Sequence, residues 1–197
     1  MPNLSSRFSA KRLARGFINV LYFVKSGYWQ TGERVNPDFP NSNFENHFKV
    51  YKFLCQFVQG KRVLDVGCGT GYGTAYISKY ASSVTGIDIS IPAIRFATKR
   101  YPGIEYIVMD AHKLGFPDRH FDFIISTENF EHLRDQQEHL RELRRVLADD
   151  GICFIATPNP EQFVDQSPNP YHTKENSYPE LCALLEGSFK DIVILEN

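Results

Sequence analysis

The apolar positions of the chain fall into short continuous runs separated by stretches with helical spacing. Val63, Leu64 and Val66 form the first clear run, within KRVLDVGCGTGYG (61–73), with two cations before it and glycines after it. A short apolar run closed by turn residues reads as a buried parallel strand. Val84 to Asp88, Ile104 to Met109, Phe121 to Ser126, Ile152 to Thr157 and Phe189 to Leu195 repeat the pattern. Between them the spacing predicts helices. One spans Thr70 to Tyr80; the next is capped by Ser90, carries Pro92 in its first turn and stops before Pro102-Gly103. Another is opened by the Asp135–Glu138 pair, with Leu140, Leu143, Val146 and Leu147 on one face. Asn46 to Gln59 places Phe48, Tyr51, Leu54, Cys55 and Val58 at helical spacing, and Tyr178 to Glu186 predicts a short last helix. Strands alternating with helices predict an α/β fold, a Rossmann-like doubly wound and mostly parallel sheet with helices on both faces.

The ends are less regular. Residues 1–32 hold no acid but carry Arg7, Lys11, Arg12, Arg15 and Lys25, with Leu13, Phe17, Val20, Leu21 and Val24 at helical spacing. The pattern is that of a basic amphipathic helix. Three placements are open: over the cleft, on a membrane surface, or as a transit peptide. Residues 27–46 form a Gly-, Pro- and Asn-rich loop, with Tyr28 and Trp29 as lid or packing aromatics. These features divide the chain into an N-terminal helical cap and lid, 1–59, and a ligand-binding domain, 60–197, within one compact body. Five prolines between Pro158 and Pro179 make that stretch an irregular loop.

Composition narrows the class. A chain of 197 residues with 42% hydrophobic positions buries one ordinary core. A formal net charge of −1 provides no field for nucleic acid. The four cysteines form no CxxC pair, so reduced thiols in a cytoplasmic protein and no metal site are expected. No apolar run reaches the roughly 18 residues of a membrane span.

The candidate chemistry starts at Gly67, Gly69, Gly71 and Gly73. Glycine tolerates positive φ and lets a ligand approach the backbone, and a strand–turn–helix of this kind cradles a nucleotide or a carboxylate. A glycine turn alone also serves as a plain strand-to-helix connection. Two acids shift the balance. Asp65, inside the strand, needs a partner if buried and suits an ammonium group better than a phosphate. Asp88 follows Gly67 by 21 residues and ends the second strand, where an acid can hold a ribose hydroxyl pair.

DVGCGTGYG, then GIDIS, then MDAHKLGFPDRHFD resemble the ordered motifs of class I S-adenosylmethionine-dependent methyltransferases, over about residues 60 to 160. The resemblance implies S-adenosylmethionine as cofactor and a small-molecule acceptor, with oxygen as the expected methyl-receiving atom. The loop with Asp65, Gly67, Cys68, Gly69 and Gly71 would hold the methionine part, Asp65 receiving its ammonium directly or through water. Asp88 would accept the ribose hydroxyls, Ile89 would lie against the adenine, and Asp110 with Ala111 would meet the adenine edge. Thr127 and Glu128 would wall the sulfonium. Glu131 and His132 echo a Glu-His pair of small-molecule members, and His132 is either a proton acceptor or a loop-ordering residue. Asn169, Tyr171 and His172 fall where relatives shape the acceptor pocket, with His172 a second candidate base. The family also has a seventh, antiparallel strand. No run after Leu195 is left for it, so that edge lies outside this sequence or comes from another chain, a homodimer being one form. A nicotinamide-dependent oxidoreductase and a catalytically silent binding domain are the rival readings.

Overall fold

The computed structural model describes residues 20–25, 37, 42–160 and 171–196. Seven parallel strands form one sheet: β1 (Val20–Lys25), β2 (Arg62–Val66), β3 (Ser83–Asp88), β4 (Glu105–Val108), β5 (Phe121–Thr127), β6 (Leu147–Pro158) and β7 (Ile192–Glu196). Their spatial order is β4-β3-β2-β5-β6-β1-β7. Among the described residues five helices accompany them: α1 (Ser42–Leu54), α2 (Tyr72–Ile77), α3 (Ile91–Arg100), α4 (Gln136–Val146) and α5 (Tyr178–Glu186). A 3-10 turn, Phe130–His132, follows β5.

The central strands are buried on both faces, as the apolar runs require. In β5, Ile124 packs into a cluster with Leu140, Leu143 and Val146 of α4 and Leu181 and Leu185 of α5. Its neighbours Phe123 and Ile125 point the other way, into a cluster with Tyr51 and Leu54 of α1 and Ile77 of α2. The same period of two runs along β2, where Leu64 and Val66 face α4 and α5 while Val63 faces α1 and α2. Asp65 therefore falls on the α1/α2 face, among apolar groups and fully buried.

Local chemistry sets the helix starts. Ser90 Oγ accepts from the Ala93 N–H, and Asp135 Oδ1 from the Glu138 N–H at 2.9 Å. Ser177 and Glu180 close a reciprocal capping box that opens α5. At the N-terminal ends of β2 and β5, Arg62 grips both carboxylate oxygens of Asp122.

The structure corrects the N-terminal reading. Val20–Lys25 is a strand, not part of a helix: β-branched and aromatic residues in a continuous run suit a strand flanked on both sides. Val20 pairs with Cys153 of β6 and with Ile192 of β7. The sheet thus reaches seven strands, with β1 in parallel orientation between β6 and β7, in place of a strand after Leu195. β6 also starts earlier than Ile152. Leu147 pairs with Phe121 and Ile152 with Phe123, so a register irregularity absorbs the exposed Asp149-Asp150. The basic stretch before β1, the pair Tyr28 and Trp29, and Asn169 lie outside the described residues.

Candidate active site

The C-terminal ends of β2, β3 and β5 open into one cavity of about 810 Å³. This is the usual place for a ligand in an open α/β sheet, beyond the strands' carboxyl ends.

The glycine loop forms one wall. Gly69 has φ 54, and a Cβ there would meet nothing within 4 Å, so its inner side is clear for a ligand. Its N–H donates to Asp88 Oδ2 at 2.9 Å, while the Ser90 N–H donates to Asp88 Oδ1 at 2.8 Å. Asp88 thus locks the loop to the start of α3, and each oxygen keeps a second lone pair for a hydroxyl. Beside it Ile89 lines the cavity yet is 69% exposed. An uncovered aliphatic side chain in a cavity suits the face of a flat base.

Asp110, Ala111 and His112 continue the wall. The His112 N–H and ring Nδ1 both meet Asp110 Oδ1, and these bonds, the backbone N–H first, hold the Asp110 carboxyl below its ordinary range. Oδ2 is left for a ligand N–H. The loop is pinned from behind by His139, whose Nδ1–H donates to the Ala111 carbonyl at 2.9 Å. Burial pushes the His139 pKa down to about 4.

Asp65 does not line the cavity. It accepts from Thr74 Oγ1 at 2.6 Å and from Tyr51 Oη at 3.2 Å, and Tyr51 also meets Thr127 Oγ1 at 3.2 Å. Burial, and then the like charge of Asp88, push Asp65 up to about 6 against the lowering effect of those two donors. Tyr51 is on the lining, so the carboxylate reaches the cavity through that hydroxyl. Gly73 makes the arrangement fit: a Cβ there would lie 2.1 Å from the Tyr51 ring. Gly71, with φ 79, caps α2 behind the lining.

The far end is polar. Thr127, Glu128, Asn129, His132 and Tyr171 line it. Glu128 sits at φ 50, a left-handed conformation that costs free energy outside glycine, and its N–H is held by the Ala156 carbonyl at 2.8 Å. His47 Nε2 lies 3.8 Å from Glu128 Oε2. Glu131 is wholly buried; burial first, and then Glu128, push its carboxyl well above the ordinary range. His132 and His172, 40 residues apart, come together with ring centroids 5.1 Å apart.

The sequence reading missed Tyr51, Thr74, His47 and His139. Tyr51 and Thr74 could have been flagged by the question of what pairs with a buried Asp65. His139 breaks the apolar face of α4, a polar residue where a leucine would fit.

Comparison with known proteins bears on the fold and the family. A methyltransferase domain family matches residues 64–155, and the protein-L-isoaspartate(D-aspartate) O-methyltransferase family matches residues 15–100. A probable S-adenosylmethionine-dependent methyltransferase of Mycobacterium tuberculosis is 35% identical over 170 residues, 83% of this chain and 62% of the relative. This chain therefore spans less than two thirds of that relative's length. A fatty-acid O-methyltransferase of Mycolicibacterium smegmatis is 36% identical over 108 residues, 52% of this chain and 39% of the relative. Among solved structures, an S-adenosylmethionine-dependent methyltransferase from Aquifex aeolicus superposes with a TM-score of 0.58 at 26% identity, covering 73% of this chain and 77% of that one. With the motifs and the sheet in agreement with these matches, residues 64–155 carry a methyltransferase domain similar to that of the class I S-adenosylmethionine-dependent methyltransferases.

Proposed function

We propose that the protein methylates a small-molecule acceptor, at oxygen, with S-adenosylmethionine as donor. One observation carries the reading: a single cavity joins a nucleoside end, with Asp88 and the uncovered Ile89, to a polar end with Glu128 and His132. The cofactor supplies a methyl group already activated on a sulfonium. The chain has then to hold donor and acceptor in line and keep water away, and alignment supplies much of the rate.

Asp88 accepts the ribose hydroxyls with its remaining lone pairs, Ile89 covers the adenine face, and Asp110 Oδ2 accepts the exocyclic N–H. The loop N–H groups and the Tyr51 hydroxyl, backed by Asp65, meet the methionine part. The acceptor enters at Glu128 and His132. His132 Nδ1 faces the Tyr171 carbonyl at 3.1 Å. A carbonyl only accepts, so that nitrogen carries the proton and Nε2 the lone pair. Nε2 takes the hydroxyl proton as the oxygen–carbon bond forms. A cavity of this volume suits a small acceptor, and a relative named as a fatty-acid O-methyltransferase supports oxygen.

Calorimetric titration with S-adenosylhomocysteine, and with NAD as control, tests the cofactor. Micromolar binding of the first and none of the second is expected; NAD binding alone overturns the reading. His132→Ala is expected to lower turnover with the acceptor and leave S-adenosylhomocysteine affinity unchanged.

A further inference from the structure

We infer that Glu131, His132 and His172 bind one divalent transition-metal ion, of the Mn²⁺, Co²⁺ or Zn²⁺ kind, at the acceptor end of the cavity. One ligand atom from each residue lies within 4.8 Å of the other two. Two imidazoles and one carboxylate are the donor set for such ions, whereas Mg²⁺ and Ca²⁺ favour oxygen alone.

The first supporting observation is an orphaned oxygen. The Glu131 side chain is 0% exposed, and the Thr157 hydroxyl donates to Oε2 at 2.9 Å. Oε1 is buried with no hydrogen-bond partner among the described residues. It points toward His132 Nε2, 3.9 Å away, too far for a hydrogen bond. A buried carboxyl oxygen without a partner is costly in either protonation state, and a cation that displaces the proton relieves it.

The second observation is the set of bonds behind the rings. His132 Nδ1 meets the Tyr171 carbonyl, and His172 Nδ1 meets the Glu175 carboxylate. Each outer bond places a proton on Nδ1, so the ligand nitrogen of each ring in this site is Nε2. Metal-ligating histidines are held in this way, by a carbonyl or carboxylate on the far nitrogen. The backbone ties the two halves together: the Thr173 and Lys174 N–H groups donate to the Glu131 carbonyl at 2.9 and 3.1 Å, and Thr173 Oγ1 donates to the His132 carbonyl at 3.0 Å. Ligand bonds of about 2.0–2.2 Å need donors about 3–3.5 Å apart, so a pair at the 4.8 Å limit closes by roughly 1.5 Å on binding.

Three protein donors leave positions for water or an acceptor oxygen. This part rests on the proposed function: a metal-bound hydroxyl loses its proton to solvent more readily, and the resulting alkoxide attacks the methyl carbon while the sulfur keeps the bonding pair. His132 is then a ligand rather than the base, and acceptors with two adjacent oxygens are favoured.

The test uses the purified chain, stripped with a chelator and titrated with Co²⁺ by visible absorption, alongside S-adenosylhomocysteine binding on the same samples. One equivalent of Co²⁺ is expected. Glu131→Gln and His172→Asn should each weaken it at least tenfold, and Glu175→Gln by about tenfold through the outer bond. S-adenosylhomocysteine affinity retained in any one of these variants shows that variant folded and makes its metal result decisive. No Co²⁺ binding by the unaltered chain at millimolar concentration overturns the inference, as does unchanged affinity in Glu131→Gln and His172→Asn. Metal binding without S-adenosylhomocysteine binding would sink the proposed function and leave this site standing; the reverse would leave His132 as the base.

Discussion

Tyr51→Phe is the most informative single change outside the acceptor end. It removes one hydroxyl and keeps the ring that packs over Gly73. Asp65 then loses a donor at 3.2 Å and keeps only Thr74 at 2.6 Å. A hydrogen bond to a charged group contributes about 1.5–3 kcal/mol, a neutral one about 0.5–1.5 kcal/mol. Which figure applies depends on whether Asp65 is ionised. Its folded pKa, about 6, lies above the ordinary 3.8, so folding favours the protonated form. The stability this gives is fully present below about pH 4 and is lost as pH rises through 6. At pH 7.5 the group is a buried carboxylate, and the variant is expected to lose about 1.5–3 kcal/mol, or a melting shift of about 3–10 °C. At pH 5 it is largely a carboxyl, and the loss should fall to about 0.5–1.5 kcal/mol. Denaturant unfolding of both proteins at the two pH values measures this. Equal losses at pH 7.5 and pH 5 would refute the account, because the tyrosine would then not be stabilising an ionised Asp65.

Other consequences can be read with standard assays. Asp88→Ala should weaken S-adenosylhomocysteine binding at least tenfold, the scale of a lost charged hydrogen bond of about 1.5–3 kcal/mol; unchanged affinity in calorimetry removes the ribose role. Gly73→Ala puts a Cβ 2.1 Å from the Tyr51 ring and is expected to cost roughly 1–3 kcal/mol; an unaltered melting temperature would show that the ring moves aside freely. His139, buried and held near 4, should show no imidazole titration by NMR above about pH 5. A midpoint near 6.5 would mean that the ring reaches water, and the pinning of Ala111 would fail with it.

Short-range patterns determined most of the nucleoside half of the site. The apolar run into the glycine turn, the acids closing β3 and β4, and the caps at Ser90 and Asp135 are all read within a few residues. Strand burial, positive φ and capping are local requirements, and each leaves a local mark in residue type. The same locality explains the failures. Val20–Lys25 is apolar at nearly every position, so helix and strand both accommodate it, and only pairing with β6 and β7 decides between them. Asp65 announced that it needed a partner but not which one; α1 packs so that Tyr51, 14 residues before Asp65 in the chain, arrives over Gly73. The acceptor end depends most on tertiary structure. Glu131 and His132 are adjacent in sequence, but His172 joins them from beyond β6, and its loop is tied on by bonds to the Glu131 and His132 carbonyls. A cluster closed across 40 residues of chain leaves no period or spacing in the sequence, because the sheet's connectivity, not local preference, sets which loops meet.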